Sequence, residues 1–481
     1  MTSTAPHANA PDAPFVTDVA PRKTFLDAPF VLDLFAGPGG LDVSAHALDI
    51  PSLGIEWDKS ACLTRYAAGL DTLHADVSAV RRDRFESLPP EINILAGGPP
   101  CQTYSVAGSG AGRKALDEVK GYIDRLMHGD SDEEIDKALG NLTDPRTALV
   151  LEPLRYAIQA TRSPNRSHRP YDVIVLEQVP AVEALWRQYA KVLQTQGLPD
   201  GTRYEVVVEV LGTEAYGVPQ TRKRAVLVAR RVEFGRPSLP APTHRAYEPR
   251  KWSHDALPEA PEAEEQSRQE ALGADSGTPA PLLPWKSMGD ALGKPAGTTH
   301  VGRPTPFLVR SNYGSSGNPG RRGVRTDRQP ATTVTGRITR FVVFQHLNDD
   351  IVHEGDRFST NEAGLLQSFP PDYPWSGTAQ AQQVGNAVPP LFGAHLLSAA
   401  LALPTPIAEL MDKPWIDATE EQRAKRRLHG CGAPDGCTDR CPRSNDKAPS
   451  TPARTRSTPP KATPPKPVPD SAENTEVLYA L

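Results

Sequence analysis

Short β-branched runs alternate with amphipathic stretches through much of the chain. The runs predict strands at 30–35, 52–56, 92–96, 173–177, 204–211 and 225–229. Between them, apolar residues at helical spacing predict helices at 40–49, 59–69, 147–161 and 181–195. Such alternation is typical of βαβ units, whose helices cover both faces of a sheet. We therefore expect an α/β fold with a doubly wound, mainly parallel sheet.

The alternation stops near residue 232. From there to about 330 the chain is Pro-rich and charged, with short apolar runs only, which predicts a smaller domain or a large insertion. Order resumes at 331–344, and the stretch 391–403 has the length and spacing of a helix that packs back on the sheet. The segments 1–27 and 443–481 lack an apolar period and are predicted to be disordered tails.

Composition narrows the class of protein. The 481 residues include five cysteines, an odd number scattered through a long chain, which favours a reducing compartment over a disulfide framework. No run of about eighteen apolar residues and no signal peptide is present, so we expect a soluble, cytoplasmic protein without a membrane partner.

Charge is unevenly distributed. The net charge of −5, taken alone, argues against a nucleic-acid binder. However, Asp327 is the single acid in 302–340, and this segment holds eight arginines, at 303, 310, 321, 322, 325, 328, 337 and 340. Such a stretch could neutralise phosphates on an acidic protein. The alternative is a solvated arginine-rich loop.

The first strand runs into a glycine-rich turn, Ala-Gly-Pro-Gly-Gly at 36–40, before a helix. In open α/β sheets ligands bind at this edge, and the amides at the helix start favour a carboxylate. About twenty residues on, Glu56 is placed to bind ribose hydroxyls, and Asp76 suits an adenine amino group. The alternatives are a plain connection for the turn, and helix capping or solvation for the two acids. Together these features predict a pocket shaped for S-adenosylmethionine.

A second loop surrounds one thiol. The strand 92–96 opens into Gly-Gly-Pro-Pro-Cys-Gln at 97–102, so Cys101 lies at the same sheet edge. A lone cysteine is more often a small core residue than a nucleophile. Its place on a rigid loop at a ligand-binding edge favours the nucleophile instead. Cys62, in an amphipathic helix, is expected to lie in the core.

At this point the chain resembles the DNA (cytosine-5-)-methyltransferase family over roughly 30–230 and 330–400. The motifs follow the family's order. The first three resemble the cofactor loop (Asp33–Gly40), the nucleoside contacts (Glu56-Trp57-Asp58 and Asp76) and the nucleophile loop (Pro99–Gln102). The last four resemble the Glu-Asn-Val (Val175–Val179), Gln-x-Arg-x-Arg (Gln220–Arg224), Leu-Gln-x-Phe-Pro (Leu366–Pro370) and Gly-Asn-x-Val (Gly385–Pro390) motifs. The resemblance implies the Rossmann-like fold of S-adenosylmethionine-dependent methyltransferases with a smaller inserted target-recognition domain.

The resemblance also implies a mechanism. The Cys101 thiolate adds to C6 of a cytosine flipped out of duplex DNA, while Glu177 hydrogen-bonds N3 and the exocyclic amine. Arg222 and Arg224 would hold the base carbonyl or nearby phosphates and favour the thiolate; without the motif, a surface ion pair is the alternative. Gln178 departs from the family's Asn, so the bond that ties this strand end to its neighbouring loops is either remade or lost.

The resemblance further implies two sets of binding residues. The cofactor set comprises Phe35, Ala36, Gly37, Gly39, Gly40, Glu56, Trp57, Asp76, Val77, Pro100, Asn386 and Val388. The DNA set comprises Gln102, Ser105, Gln220, Arg303, Arg310, Arg321, Arg322 and Arg325, of which the arginines suit phosphate contacts and bidentate reading of guanine.

The predicted organisation follows from these assignments. We expect a tail at 1–27, a catalytic domain at 28–237 that returns at 329–405, a target-recognition region at 238–328, a cysteine-containing extension at 406–442 and a tail at 443–481. His429, Cys431, Cys437 and Cys441 form a weak zinc candidate, because their spacing is irregular; incidental thiols in a flexible tail are the alternative.

The predicted function is methylation of cytosine C5 within a short duplex DNA site, by a monomer associated with the nucleoid. A cognate restriction endonuclease acting on the same site is left open as a partner. Two alternatives remain: the same chemistry on RNA, and a DNA-binding regulator without turnover.

Overall fold

The computed structural model describes residues 25–100, 110–140, 145–248, 281–293, 302–311, 323–347, 350–407, 409–412 and 415. Several predictions lie outside these residues: the two tails for all but 25–27, the nucleophile loop residues Cys101, Gln102 and Ser105, the arginines Arg321 and Arg322, and the zinc candidates His429, Cys431, Cys437 and Cys441.

The larger sheet has seven strands in the described residues, in the order β3-β2-β1-β4-β5-β7-β6. Its strands are β1 Val31–Leu34, β2 Ser52–Glu56, β3 Thr72–His74, β4 Ile94–Gly97, β5 Val173–Gln178, β6 Tyr204–Gly212 and β7 Lys223–Arg231. Strands β3 to β5 are paired in parallel, whereas β7 is antiparallel to both β5 and β6. The predicted α/β class and mainly parallel sheet are confirmed.

Helices cover both faces of this sheet. They are α1 Gly40–Ala47, α2 Lys59–Ala67, α3 Val77–Asp83, α4 Gly110–His128, α5 Asp132–Leu139, α6 Glu152–Arg162 and α7 Glu183–Lys191. Along β5, Ile174 and Leu176 point into the core cluster under α3 to α7, while Val173 and Val175 point into the opposite cluster. Because both faces are buried, the strand is apolar almost throughout rather than alternating.

Helices α4 and α5 were not predicted, because the pattern of their sequence showed only that the stretch 117–136 is acidic. In the structure, two of these acids, Asp132 and Asp136, are paired with arginines. Arg81 and Arg155, each about 1% exposed at the side chain, contact three carboxylates, those of Asp132, Asp136 and Glu152, at 2.6–3.7 Å. The cluster fastens α5 to α3 and α6, so these acids stabilise the fold and do not form a solvated face.

A second, antiparallel sheet has the order β11-β10-β8-β9. Its strands are β8 Phe307–Arg310, β9 Val324–Thr326, β10 Val342–Leu347 and β11 Asp350–Asp356. They pack with α8 Met288–Leu292 and α9 Thr360–Leu366 around a third apolar cluster. The predicted boundary at 328/329 falls between β9 and β10, within this sheet.

The chain returns to the large sheet through α10 Gln380–Asn386 and α11 Pro390–Ala400. Helix α11 is buried along nearly its whole length beside α1, as expected for the apolar stretch 391–403. Among the described residues, we find no helix with both the length and the apolar character needed to cross a membrane.

Candidate active site

The carboxyl ends of β1, β2, β4 and β5 meet at one edge of the large sheet, where the predicted motifs lie. After β1 the backbone takes positive φ at Phe35 (61°), Gly37 (56°) and Gly39 (107°). A Cβ on Gly40 would lie 2.1 Å from the carbonyl oxygen of Val388, so α1 begins in direct backbone contact with the Gly-Asn-x-Val segment. The sharp turn thus requires its glycines for conformation and for space.

The end of β2 is bonded to this loop. The Glu56 carboxylate accepts hydrogen bonds from the backbone N–H of Gly37 at 2.8 Å and of Asp58 at 2.6 Å. Each oxygen keeps a second lone pair, so the carboxylate can still accept a hydroxyl. Asp76 caps α3 by accepting from the N–H of Ala79 at 2.9 Å, which uses one oxygen. Capping, an alternative to nucleotide binding, is therefore real for Asp76 and leaves its other oxygen available.

These residues fit S-adenosylmethionine. A Cβ on Gly37 would meet nothing within 4 Å, so the space above the loop is open. The side chain of Trp57 is 67% exposed beside it, which suits stacking on a purine. Helix α1 has no side-chain cap at Gly39, so its first amides can receive a carboxylate.

The other predicted cofactor residues surround the same edge. Phe35 and Pro100 are half-buried, whereas Ala36, Val77 and Val388 are buried. Asn386 is exposed, and its Oδ1 accepts a hydrogen bond from Gln382 Nε2 at 2.7 Å. The cofactor role of each residue stays a prediction.

A buried ionic cluster supports the loop from below. Arg65 donates to Asp42 at 2.6 Å, and both side chains are fully buried. Burial, followed by the charge of Asp42, raises the pKa of Asp33 well above its usual range. A Cβ on Gly54 would lie 2.0 Å from the Arg65 guanidinium, so the cluster fills the space beneath β2.

The second half of the site lies at the end of β5. Arg224 Nε is 2.7 Å from Glu177 Oε1, with side chains 11% and 7% exposed. The contact is an ion pair and not a well-aligned hydrogen bond. A Cβ on Gly98 would lie 3.7 Å from Glu177 Oε2 and 3.9 Å from Val388. The carboxylate therefore borders the loop that leads to Cys101.

Gln178, the departure from the family's Asn, makes a bond to that loop. Its Nε2 donates to the carbonyl oxygen of Pro99 at 2.5 Å, and its Oε1 accepts from the N–H of Val179. The extra methylene thus still allows a bond between the strand end and the nucleophile loop. The bond between this strand end and its neighbouring loop is therefore remade by Gln178 and is not lost.

Arg222 is buried and bonded within the protein. It is 3% exposed, and its guanidinium donates to the carbonyl oxygens of Val334, Gly385 and Ala387 at 2.9–3.2 Å. Burial lowers its pKa well below the usual range, with a further contribution from Arg224. The guanidinium thus joins the residue before β7 to two returning segments of the chain, and its contact with the base or phosphates stays a prediction. It is not part of a surface ion pair.

Gln220 and Arg303 of the predicted DNA set likewise have internal partners. Gln220 is fully buried and bonds Leu366, Gln367 and Val334. Arg303 forms a two-bond contact with Glu362 at 2.6 and 2.9 Å and also reaches Asp356. The donors of these two side chains have partners inside the protein, and their role as DNA contacts stays a prediction.

Arg325 and Arg310 are also largely engaged within the protein. Arg325 donates to the carbonyl oxygens of Pro330 and Ala331 and to Thr221, and it lies 4.8 Å from the Tyr247 ring. Its contact with DNA stays a prediction. Arg310 is half-buried and stacks on Phe344 at 4.7 Å.

Three other arginines are better exposed: Arg337 and Arg340, which belong to the basic stretch 302–340 but not to the predicted DNA set, and Arg357. Arg337 and Arg340 lie one turn apart, and Arg357 donates to the carbonyl oxygen of Arg340 at 3.1 Å. All three are exposed, and no carboxylate of the described residues pairs with Arg337 or Arg340. Val334, three residues before Arg337, accepts a hydrogen bond from Arg222, which immediately precedes the start of β7. The arginine-rich surroundings of Arg337 and Arg340 were the signal, but the predicted recognition region ended at 328.

The remaining titratable candidates are structural or outside the described part of the chain. Burial raises the pKa of the Cys62 thiol to about 12, in agreement with a core residue. Among the described residues, no group of three or more His, Cys, Asp or Glu side chains could hold a metal ion. The zinc candidates are not among those residues.

Comparison with known proteins identifies the family. The model of the C-5 cytosine-specific DNA methylase family matches residues 30–122 and 172–401, about two thirds of the chain. Residues 123–171, which include α5 and α6, are not matched.

The sequence identity to individual proteins of known name or structure is low. The chain is 28% identical over 219 residues to the type II methyltransferase M.AquIA of Picosynechococcus sp., covering 44% of this chain and 75% of that protein. It is 25% identical over 384 residues to M1.HphI of Haemophilus parahaemolyticus, covering 77% and 86%. The solved structure of S. pombe Dnmt2 is 16% identical, with a TM-score of 0.43 and coverage of 78% and 98%.

The family match spans both halves of the site, the glycine loop with Glu56 and the ion pair of Glu177 with Arg224. The chain belongs to the C-5 cytosine-specific DNA methylase family and is a DNA cytosine-5 methyltransferase that uses S-adenosylmethionine as its methyl donor.

Proposed function

We propose that this enzyme methylates one cytosine within a short specific duplex site through a covalent bond between Cys101 and C6 of an extruded base. The observation that carries the proposal is the buried pair of Glu177 and Arg224 beside Gly98, three residues before Cys101. A carboxylate and a guanidinium at the base of a thiol-bearing loop suit attack on an electron-poor ring.

Each side chain has a chemical task in this proposal. The Cys101 thiolate forms a bond to C6, and the electron pair of the C5–C6 bond becomes available at C5. The exocyclic amine donates to the Glu177 carboxylate, which Arg224 holds from the other side. A solvent proton delivered through Glu177 neutralises N3 as the thiolate adds to C6, and it is returned when the C6–S bond breaks. The positive charge of Arg224 also favours the thiolate over the thiol. The cofactor supplies the methyl group that C5 takes up, after which the C5 proton leaves to solvent, the C6–S bond breaks and the thiolate is restored.

Gln178 and Arg222 act as positioning residues. Gln178 holds the carbonyl of Pro99, two residues before Cys101, and Arg222 binds the segments that end at Val334 and Ala387. Gln178 thereby ties the thiol loop to the strand that carries Glu177. Arg222 ties the start of β7 to the segment that carries the Gly-Asn-x-Val motif. A small displacement of such groups would strongly reduce the rate.

The substrate proposal rests on access and charge. C6 is inaccessible within a duplex, so the nucleotide must be extruded, at a cost of about a few kcal/mol. The exposed Arg337, Arg340 and Arg357 are suited to hold the DNA backbone close to the site. The segment 238–328 remains our candidate for reading the sequence, and we propose that the monomer acts in the cytoplasm, at the nucleoid. Whether a cognate endonuclease cuts the same site remains an open part of the proposal.

Bisulfite sequencing of DNA from cells that express the enzyme tests this function. We expect one short motif to be methylated uniformly by the wild type and to be unmodified with Cys101→Ser. Scattered methylation would contradict specificity, and methylation that survives Cys101→Ser would contradict the covalent route. Unchanged DNA together with newly methylated RNA would favour the RNA alternative, and an absence of both would favour a regulator without turnover.

A further inference from the structure

The glycine loop that borders the cofactor space accepts a side-chain hydrogen bond from a distant part of the chain. The Tyr373 hydroxyl donates to the carbonyl oxygen of Pro38 at 2.5 Å, and a Cβ on Gly39 would lie 3.1 Å from the same hydroxyl. Pro38 has no backbone N–H, so this carbonyl is its only backbone hydrogen-bonding group. Because Pro38 is buried, loss of the hydroxyl leaves that carbonyl unsatisfied unless the loop moves.

Tyr373 is itself held by aromatic packing. It is 2% exposed, and its ring lies 4.7 Å from Phe369, 5.0 Å from Trp375 and 5.5 Å from Trp415. Phe369 and Trp375 belong to the segment that the family model matches. Trp415 does not, because that match ends at residue 401.

Trp415 joins the extension to both helices of the cofactor half. Its indole N–H donates to the carbonyl oxygen of Ala68 at 3.2 Å, at the end of α2, and its ring lies 4.9 Å from His46 in the last turn of α1. Its backbone N–H donates to the carbonyl oxygen of Pro371 at 2.9 Å, two residues before Tyr373. Met411, also beyond the matched region, is 4% exposed in the same core cluster.

We propose that Tyr373 is a positioning residue for the methyl-donor site, and that Trp415, beyond the region matched by the family model, holds it there. Helices α1 and α2 begin at the glycine loop and after Glu56, the two elements that border the donor. Trp415 contacts the last turn of α1 and the end of α2, so it links the two helices whose first turns border that space to Tyr373, whose hydroxyl fixes Pro38. The effect of these contacts is on affinity for the donor and not on the chemistry at cytosine.

The test compares Tyr373→Phe with Tyr204→Phe. Each substitution removes one buried hydroxyl that donates to a backbone carbonyl, since Tyr204 donates to Tyr171 at 2.7 Å from the edge strand β6. Binding of S-adenosylmethionine by calorimetry, the apo Tm, and the KM and kcat of methyl transfer are measured for both. Wild-type binding is measured first, so that failure of the donor site itself would be distinguished from failure of this proposal.

We expect both variants to lower the Tm to a similar extent. Only Tyr373→Phe raises the Kd and KM for S-adenosylmethionine, by about fivefold or more, with kcat and DNA affinity within about twofold of wild type. Equal donor affinity in the two variants would overturn the proposal, because the hydroxyl would then be merely structural.

Trp415→Phe tests the contribution of Trp415 to donor binding while Tyr373 is kept. It keeps an aromatic ring but loses the bond to Ala68, so we expect a smaller rise in the Kd for S-adenosylmethionine, of about two- to threefold. A Kd equal to that of Tyr204→Phe would remove Trp415 from the proposal. If Tyr373→Phe fails to fold, Trp415→Phe alone decides it by the same comparison.

Discussion

The glycine loop at 36–40 and the arginine-rich segment 302–340 are held in place by different kinds of interaction. The loop is fixed through its backbone, by positive φ, by the bond from Gly37 to Glu56, and by contact between Gly40 and Val388. The segment is fixed through long side chains, such as Arg303, whose partners Asp356 and Glu362 lie 53 and 59 residues away. A substitution that disturbs the backbone contacts of the loop should therefore strongly weaken the binding of S-adenosylmethionine. Loss of a guanidinium from the segment should chiefly lower the free energy of unfolding.

The largest effect is expected at Gly40. In Gly40→Ala the new Cβ would lie 2.1 Å from the Val388 carbonyl oxygen, so the loop or the Gly-Asn-x-Val segment must move. We expect a loss of about 3 kcal/mol in unfolding free energy and at least a tenfold weaker binding of S-adenosylmethionine, measured by denaturation and calorimetry.

Gly37→Ala is the matched control. Its Cβ would meet open space, so only the positive φ opposes the substitution, at about 1 kcal/mol. A Gly40→Ala enzyme as stable as Gly37→Ala would show that backbone contact does not hold the loop.

Arg303→Gln should have the next largest effect. The side chain is 7% exposed and its removal leaves Glu362, 9% exposed, without its partner. We expect a loss of about 3 kcal/mol in unfolding free energy, measured by denaturant unfolding. The salt dependence of DNA binding should be unchanged. A stable variant with a reduced salt slope would identify Arg303 as a DNA contact.

Arg337→Gln and Arg340→Gln should behave in the opposite way. Both side chains are exposed, so each substitution should change the free energy of unfolding by less than about 0.5 kcal/mol. Each lost phosphate contact should reduce the slope of log K against log salt by about 0.9, measured by DNA titration at several salt concentrations. An unchanged slope in the double variant would exclude these arginines from the DNA surface.

The smallest effect is expected at Gln178. Gln178→Leu removes the bond to Pro99 O, worth about 1 kcal/mol, and should lower kcat by about fivefold with an unchanged Kd for S-adenosylmethionine. Gln178→Asn should retain more activity, because it keeps a donor one methylene shorter. Equal kcat in the leucine variant and the wild type would show that this tie does not position the nucleophile loop.

The same contrast explains which features could be predicted from the sequence. The strands of the large sheet and the glycine loop follow from local patterns, since β5 is apolar on both faces and the turn requires its glycines. Strand β3, of only three residues, and the acidic α5 have no such pattern. The pairing of Asp132 and Asp136 with Arg81 and Arg155 depends on residues far apart in the chain.

The position of each arginine was the least predictable feature. Arg222 and Arg224 are two residues apart in one motif, yet Arg222 is bound by three carbonyls and Arg224 pairs with Glu177. Arg222 precedes β7 and is enclosed by the returning segments, whereas Arg224 lies within the strand beside Glu177, and the motif alone does not specify these surroundings. The Tyr373 contact to Pro38 had no sequence signal, because 335 residues separate the two.

The most direct test of the central claim is a trapped complex on the methylated site found by bisulfite sequencing. A duplex with 5-fluorocytosine at the target cannot lose a proton from C5 after methyl transfer, so the Cys101–C6 bond cannot be released. With S-adenosylmethionine, the wild type should form a denaturant-stable protein–DNA complex in which peptide mapping finds the base on Cys101. A stable complex formed by Cys101→Ser, or methyl transfer by the wild type without any trapped complex, would contradict the account.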